Sequence, residues 1–245
     1  MRHLFSLIKK FSGGSYCIAS LIILLAFNFL PSVGHTQVVT ESAKKKVTIG
    51  VGEFTDFWMN TPATIKTRGI NQGFNVFGTY NVPFGKSNFS FAIGLGLTVH
   101  NMYGNFLVNI KSDSTYLTKI PDGVNYKRSK LDVTYLEIPL EFRYKDKNKV
   151  VVGVGFKGGI EIASATKYLG NGPVTTYNYT VSGTEKTKIK MSGIKNLEQF
   201  TYGPTLRIGY SWFNLTASYM LSSIFQKGRG PQVYPISAGI SFIPF

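Results

Sequence analysis

Three histidines, one cysteine and twelve carboxylates are the groups in this 245-residue chain that could do acid–base, nucleophilic or metal chemistry. Their placement limits them. Cys17 lies inside the amino-terminal apolar stretch, too early in it for a lipid-bearing cysteine. His3 and His35 flank the same stretch, so only His100 belongs to the body of the chain. A Ser/His/acid site needs all three groups on one surface, and no Ser or Glu is spaced to meet His100 on an apolar face. A transition-metal site lacks ligands, Asp113 and Asp122 are too far apart for a calcium loop, and no phosphate loop is present. No cofactor is expected. The remaining chemistry is that of charge: Glu137, Glu141, Arg143, Lys157, Glu161 and Arg207 interrupt otherwise apolar or glycine-rich segments.

Those segments alternate with period two. From Phe89 to His100, Phe89, Phe91, Ile93, Leu95, Leu97 and Val99 share one face, and Ser90, Ala92, Gly94, Gly96, Thr98 and His100 share the other. Similar alternation runs from Val150 to Ile162 and through the segments around Ile208, Leu215 and Ile240. Unbroken alternation over about 9–11 residues matches a tilted strand crossing a bilayer rather than a sandwich strand of about 5–6. Eight strands are expected, at 47–57, 69–80, 88–100, 131–144, 149–163, 199–210, 212–222 and 233–245. The connections at 81–87, 145–148 and Ser211 are short, and those at 58–68, 101–130, 164–198 and 223–232 are long. An even strand count with short turns at one end and long loops at the other describes an all-β, antiparallel, transmembrane β-barrel. Within 164–198, Thr175–Val181 has strand character of its own, an expectation that barrel strands project beyond the membrane there.

An eight-stranded barrel encloses only enough room for side chains. Alternation aims Glu137, Glu141, Arg143, Lys157, Glu161 and Arg207 inward, where three acids facing three bases are expected to form ion pairs that fill the lumen. His100 falls on the same inward parity, as a hydrogen-bonded filler.

Residues 1–36 read as a cleaved secretory signal: Arg2, Lys9 and Lys10 precede an apolar run ending at Leu30, with cleavage expected near Thr36. Residues 37–46 form a periplasmic lead and 47–245 the barrel domain. The whole chain carries +15. Fourteen basic and four acidic residues fall in the four long loops. Lys111, Lys119, Lys127, Arg128, Lys130, Lys186, Lys188, Lys190, Lys227 and Arg229 are the clearest of these basic positions. A basic surface on an exported barrel points to outer-membrane lipid and lipopolysaccharide, and to an acidic protein partner at the loops or on the periplasmic side, rather than to nucleic acid.

The run Tyr135-Leu136-Glu137-Ile138-Pro139-Leu140, continuing as Glu141-Phe142-Arg143-Tyr144, resembles the Y-L-E-I-P-L strand of PorT-like outer-membrane β-barrel proteins. The glycine-alternating strand at 150–160 is similar to that family's, and the terminal Phe245 resembles the C-terminal aromatic by which barrel assembly machinery recognises its clients, although Phe245 is out of register with Phe242 and Pro244 cannot donate to a ladder. The resemblance implies a Gram-negative outer-membrane barrel but no single function; the family's named member is linked to type IX protein secretion. The expectation, with His100 unsuited to catalysis, is a non-enzymatic structural or interaction role, including an accessory role in that secretion. A small barrel enzyme acting on lipid A or outer-membrane phospholipid is the alternative.

Overall fold

The structure is a computed structural model that describes residues 46–111, 113–176 and 179–243. The signal segment 1–36, His3, Cys17, His35 and the Pro244–Phe245 terminus lie outside the described residues. Among the described residues the chain is all-β, with thirteen strands. Eight build the barrel wall: β1 (Val47–Met59), β2 (Gln72–Pro83), β3 (Phe89–Tyr103), β6 (Tyr126–Lys145), β7 (Val150–Gly170), β11 (Phe200–Tyr210), β12 (Phe213–Tyr219) and β13 (Tyr234–Phe242). Every neighbouring pair is antiparallel, and β13 pairs with β1 while β6 pairs with β7, which closes the ring.

Closure leaves no exposed sheet edge in the ring, and the alternation decides which residues face outward. Ile49 and Val51 on β1, Ile93 and Leu95 on β3, Val154 on β7, Ile208 on β11 and Leu215 on β12 are all exposed. Aromatic side chains border this apolar band at both ends. Phe89, Phe142, Tyr210, Trp212 and Phe242 stand near the short turns, and Phe57, Phe74, Phe200, Tyr202 and Tyr219 stand at the opposite rim. An apolar outer surface bounded by two aromatic girdles is the surface of a barrel that crosses a membrane.

The long connections differ from simple loops. Residues 101–130 contain the hairpin of β4 (Phe106–Lys111) and β5 (Ser114–Lys119), and β6 itself begins at Tyr126. Residues 164–198 contain the upper part of β7, the short hairpin of β8 (Val174–Thr176) and β9 (Tyr179–Val181), and β10 (Thr187–Ser192). β10 pairs with β7 over Ala165–Gly170, directly beyond the stretch where β11 ends its own pairing with β7. Lys127, Arg128 and Lys130 therefore belong to the wall of an extended barrel.

The extension has an apolar core. Trp58, Met102, Phe106, Leu131, Val133, Tyr135, Ile224 and Phe225 are buried in one cluster at the long-loop end. A second cluster joins Leu107, Ile120, Tyr168, Val174 and Ile189. A bulge makes this possible. Thr134 pairs with Ala163 but Tyr135 pairs with Glu161, which inserts one residue into β7. The inward set of β7 consequently changes from Gly153, Gly155, Lys157 and Gly159 below to Ser164, Thr166 and Tyr168 above, the last three buried.

Candidate functional site

The lower lumen is polar. Lys157 Nζ on β7 lies 2.9 Å from Glu137 Oε1 on β6, and Thr98 Oγ1 on β3 donates to Glu137 Oε2 at 2.6 Å. Below it, Glu141 receives Arg143 Nε at 3.0 Å and Arg207 Nη2 at 2.8 Å. Arg143 spends its remaining donors on Thr48 Oγ1, Thr79 Oγ1 and Asn81 Oδ1, so one guanidinium spans β1, β2 and β6. Arg207 also lies over the Phe77 ring, 5.0 Å from its centroid. The glycines of β7 make room for these groups: a Cβ at Gly153 would strike the Glu141 carboxylate, and one at Gly159 would meet Glu137 Cγ. A cavity of about 90 Å³ remains, bounded among others by Asn75, Thr98, Glu137, Lys157 and Arg207. Asn75 Oδ1 and Arg207 Nε are buried there without a protein hydrogen-bond partner, which suits a few ordered waters.

Three acids against three bases is therefore not the arrangement found. Glu161 is only half-buried and forms no ion pair among the described residues. It stands at the bulge opposite Tyr135, where the lumen changes from polar to apolar. The further buried acid is Asp56 on β1, which the spacing of charges along the chain does not single out. Asp56 Oδ2 lies 2.9 Å from His100 Nδ1, and Ser237 Oγ on β13 donates to Asp56 Oδ1 at 2.6 Å. Phe54 and Tyr135 press on the imidazole at ring-centroid distances of 5.1 and 5.9 Å. Among the described residues, the buried His100 Nε2 has no hydrogen-bond partner. The alternating pattern marks His100 as an inward position, and Asp56 and Ser237 occupy buried inward positions of β1 and β13. Only closure of β13 on β1 makes them neighbours.

Histidine, acid and serine thus meet inside the barrel, but in an order unsuited to nucleophilic catalysis. The carboxylate sits between the other two groups, so Ser237 gives its hydrogen bond to Asp56 and not to the imidazole. The group is sealed from the lipid face, with His100 1% exposed and Asp56 fully buried. Among the described residues, no cluster of three or more His, Cys, Asp or Glu side chains is placed to hold a metal ion.

The basic positions fall into two groups. Lys111, Lys186, Lys227 and Arg229 are exposed in the distal hairpins and turns, where Lys119 forms an exposed pair with Asp122 at 2.7 Å. Arg128, Lys130, Lys188 and Lys190 instead stand on strands of the wall, joined by Lys167. Lys127 lies beside them on β6 and offers its carbonyl to Arg68 Nη2 at 3.4 Å. Lys167 has its pKa lowered, first by partial burial and then by repulsion from Lys188, Arg128, Lys130 and Lys190.

Three solved structures similar to the chain are all of Ail, the attachment invasion locus protein of Yersinia pestis. The crystal structure in complex with the heparin analogue sucrose octasulfate is 13% identical, with 81% of this chain and 97% of that chain covered and a TM-score of 0.36. A second crystal structure is 13% identical over the same shares at a TM-score of 0.35. The backbone structure in a phospholipid bilayer nanodisc is 14% identical, covering 81% and 98%, at a TM-score of 0.33. No curated protein matches the chain in sequence. The outer membrane protein beta-barrel domain matches residues 43–226, most of the chain and all but the last wall strand, and the protein belongs to that family of outer-membrane barrels.

Proposed function

We propose that the protein is a non-enzymatic outer-membrane barrel that works through its outer surface, binding the anionic groups of lipopolysaccharide. The observation that carries this reading is the closure of the interior. The lower lumen is filled by the Glu137–Lys157 and Arg143–Glu141–Arg207 ion pairs, and the outer mouth is filled by the apolar cluster around Met102, Phe106, Ile224 and Phe225. A barrel so packed offers no path to solutes, which leaves its exterior to do the work. That exterior is apolar at membrane height and basic above it, the charge that attracts phosphate and acidic sugar. Action on a lipid substrate would need a reactive group facing the bilayer, and the buried His100 does not provide one.

The test is reconstitution of the purified protein. Planar bilayers containing it are expected to show no steady conductance, and vesicles containing lipopolysaccharide are expected to bind it with an affinity that falls as salt rises. Stable ohmic channels, absence of lipopolysaccharide binding, or acyl transfer or lipid hydrolysis detected by mass spectrometry would each overturn the proposal.

A further inference from the structure

The wall strands that rise beyond the apolar band carry a continuous line of cations. Tyr103 on β3 pairs with Lys130 on β6, Lys130 pairs with Lys167 on β7, and Lys167 pairs with Lys190 on β10. Two residues along, Arg128 and Lys188 both pair with Leu169. Adjacent strands are about 4.8 Å apart, so the three lysines occupy a row about 10 Å wide with Arg128 and Lys188 immediately above it. Arg68 extends the row. Its guanidinium lies 5.2 Å from the Tyr103 ring centroid, and Lys130 Nζ lies 5.7 Å from the same ring. Asn71, fully buried, holds this corner together: its Nδ2 donates to the Arg68 carbonyl at 2.7 Å and its Oδ1 accepts from Tyr103 N at 2.8 Å.

All of these cations face outward. Ser129, Leu131, Thr166, Tyr168 and Ile189, the alternate positions, are buried inside. The side chains at 128, 130, 167, 188 and 190 therefore project sideways from the wall, over the lipid that surrounds the barrel. Lys130 is answered by Asp132, 2.6 Å from its Nζ. Among the described residues no carboxylate lies within ion-pair distance of Lys167.

Height above the membrane selects the ligand. The outward face of β6 changes from apolar to polar between Leu136 and Thr134, and on β7 Ile162 is the last large exposed apolar side chain, followed outward by Ala163 and Ala165 and then Lys167. Lys130 is six residues beyond Leu136 and Lys167 five beyond Ile162. At about 3.3 Å per residue and a strand tilt of about 35–45°, the row stands about 12–16 Å above the apolar edge. The headgroup layer occupies only about the first 5–8 Å. The row thus overlooks the lipid A phosphates and meets the sugars beyond them.

We infer that the outward face of β6, β7 and β10 is a binding site for the phosphorylated core sugars of lipopolysaccharide, gripped by Lys130, Lys167 and Lys190 with Arg128 and Lys188 beside them. The inference rests on the proposal that the barrel binds lipopolysaccharide, and it places the contact on the wall and not on the distal loops. Lysine suits the task as a compact point charge with three donors that tolerates irregular phosphate spacing. Crowded cations gain most from an anion set between them, and the Lys167 pKa is lowered first by partial burial and then by repulsion from Lys188, Arg128, Lys130 and Lys190.

The experiment compares the wild-type full chain, K130Q/K167Q/K190Q, and K111Q/K227Q/R229Q, which loses the same charge from the distal loops. Each is folded into nanodiscs, with the heat-modifiable shift in gel migration confirming the barrel. Binding is measured to phosphorylated core oligosaccharide freed of lipid A, to the same oligosaccharide after phosphatase treatment, and to vesicles containing lipid A alone. Wild type is expected to bind the phosphorylated core, with about tenfold weaker binding after dephosphorylation or in the wall variant, and little change in the distal variant. Equal binding by wild type and wall variant, or equal binding of dephosphorylated core, overturns the inference while lipopolysaccharide binding itself stands. Failure of wild type to bind any of the three probes overturns the broader proposal as well. If the triple variant does not fold, K167Q alone decides the matter by the same comparison.

Discussion

His100 Nδ1 lies 2.9 Å from Asp56 Oδ2 between β3 and β1, and both side chains are sealed inside the barrel. Asp56 also receives Ser237, so one carboxylate joins three strands, including the last pair to close the ring. Asp56→Ala would leave the imidazole and a hydroxyl buried without their acceptor, at an expected cost of about 2–4 kcal/mol. The midpoint temperature of the heat-modifiable gel shift should fall accordingly, and an unchanged midpoint would show that the trio does not hold the closure.

Glu141 is the shared acid of two guanidiniums, Arg143 at 3.0 Å and Arg207 at 2.8 Å. Its removal in Glu141→Ala strands two buried cations, an expected loss of about 3–5 kcal/mol. Removing Arg207 as well should recover part of that loss, because one of the stranded charges goes with it. Urea midpoints of the three variants in one lipid system measure the coupling, and strictly additive losses would contradict the shared pair.

Gly94 on β3 pairs with Thr79 on β2, one residue along from Gly78, and the two glycines have opposite surroundings. A Cβ at Gly94 would run into the Gly78 carbonyl and Thr79 Cα, both backbone, whereas a Cβ at Gly78 meets nothing within 4 Å. Gly94→Ala is expected to destabilise by at least about 1–3 kcal/mol and to slow folding into vesicles. Gly78→Ala should be neutral or stabilising by up to about 1 kcal/mol. Folding yields of the two variants in parallel test the contrast.

Lys167 bears on stability through pH and salt. Its pKa is lower in the folded chain than the ordinary lysine value, so the folded state holds its proton less firmly than the unfolded state does. Stability from this group is greatest above the unfolded lysine pKa of about 10.4 and is lost as pH falls through the lowered folded value. At neutral pH the cost of partly burying the charge and the repulsion from Lys188, Arg128, Lys130 and Lys190 are both fully present. Lys167→Gln is therefore expected to raise the unfolding midpoint at pH 7 and low salt, with the gain shrinking at high salt or at strongly alkaline pH. A gain independent of both would point to packing.

Much of the fold is legible in the chain because strand parity is a local property. Phe89–Tyr103 shows which side chains face lipid without reference to any other strand, and the short and long connections show which ends are joined by turns. The same parity marks Glu137, Glu141, Arg143, Lys157 and Arg207 as inward positions, and each is found in an ion pair there. The loops were less legible. Residues 101–130 and 164–198 look irregular beside the long wall strands, yet β4, β5 and β10 fold as short strands because Phe106, Val108, Leu117 and Ile189 have a core to enter.

By itself, the sequence determined the eight wall strands, their lipid-facing and lumen-facing sides, and the excess of positive charge beyond the membrane, since all three follow from residue order alone. Register and closure were decided only by the tertiary structure. The bulge opposite Tyr135 left Glu161 outside the ion pairs, the meeting of β13 with β1 brought Ser237 to Asp56, and the docking of β10 on β7 set Lys190 beside Lys167. Each depends on where one strand stops sliding against another. That position is fixed by packing summed around the whole ring, and no stretch of one strand encodes it.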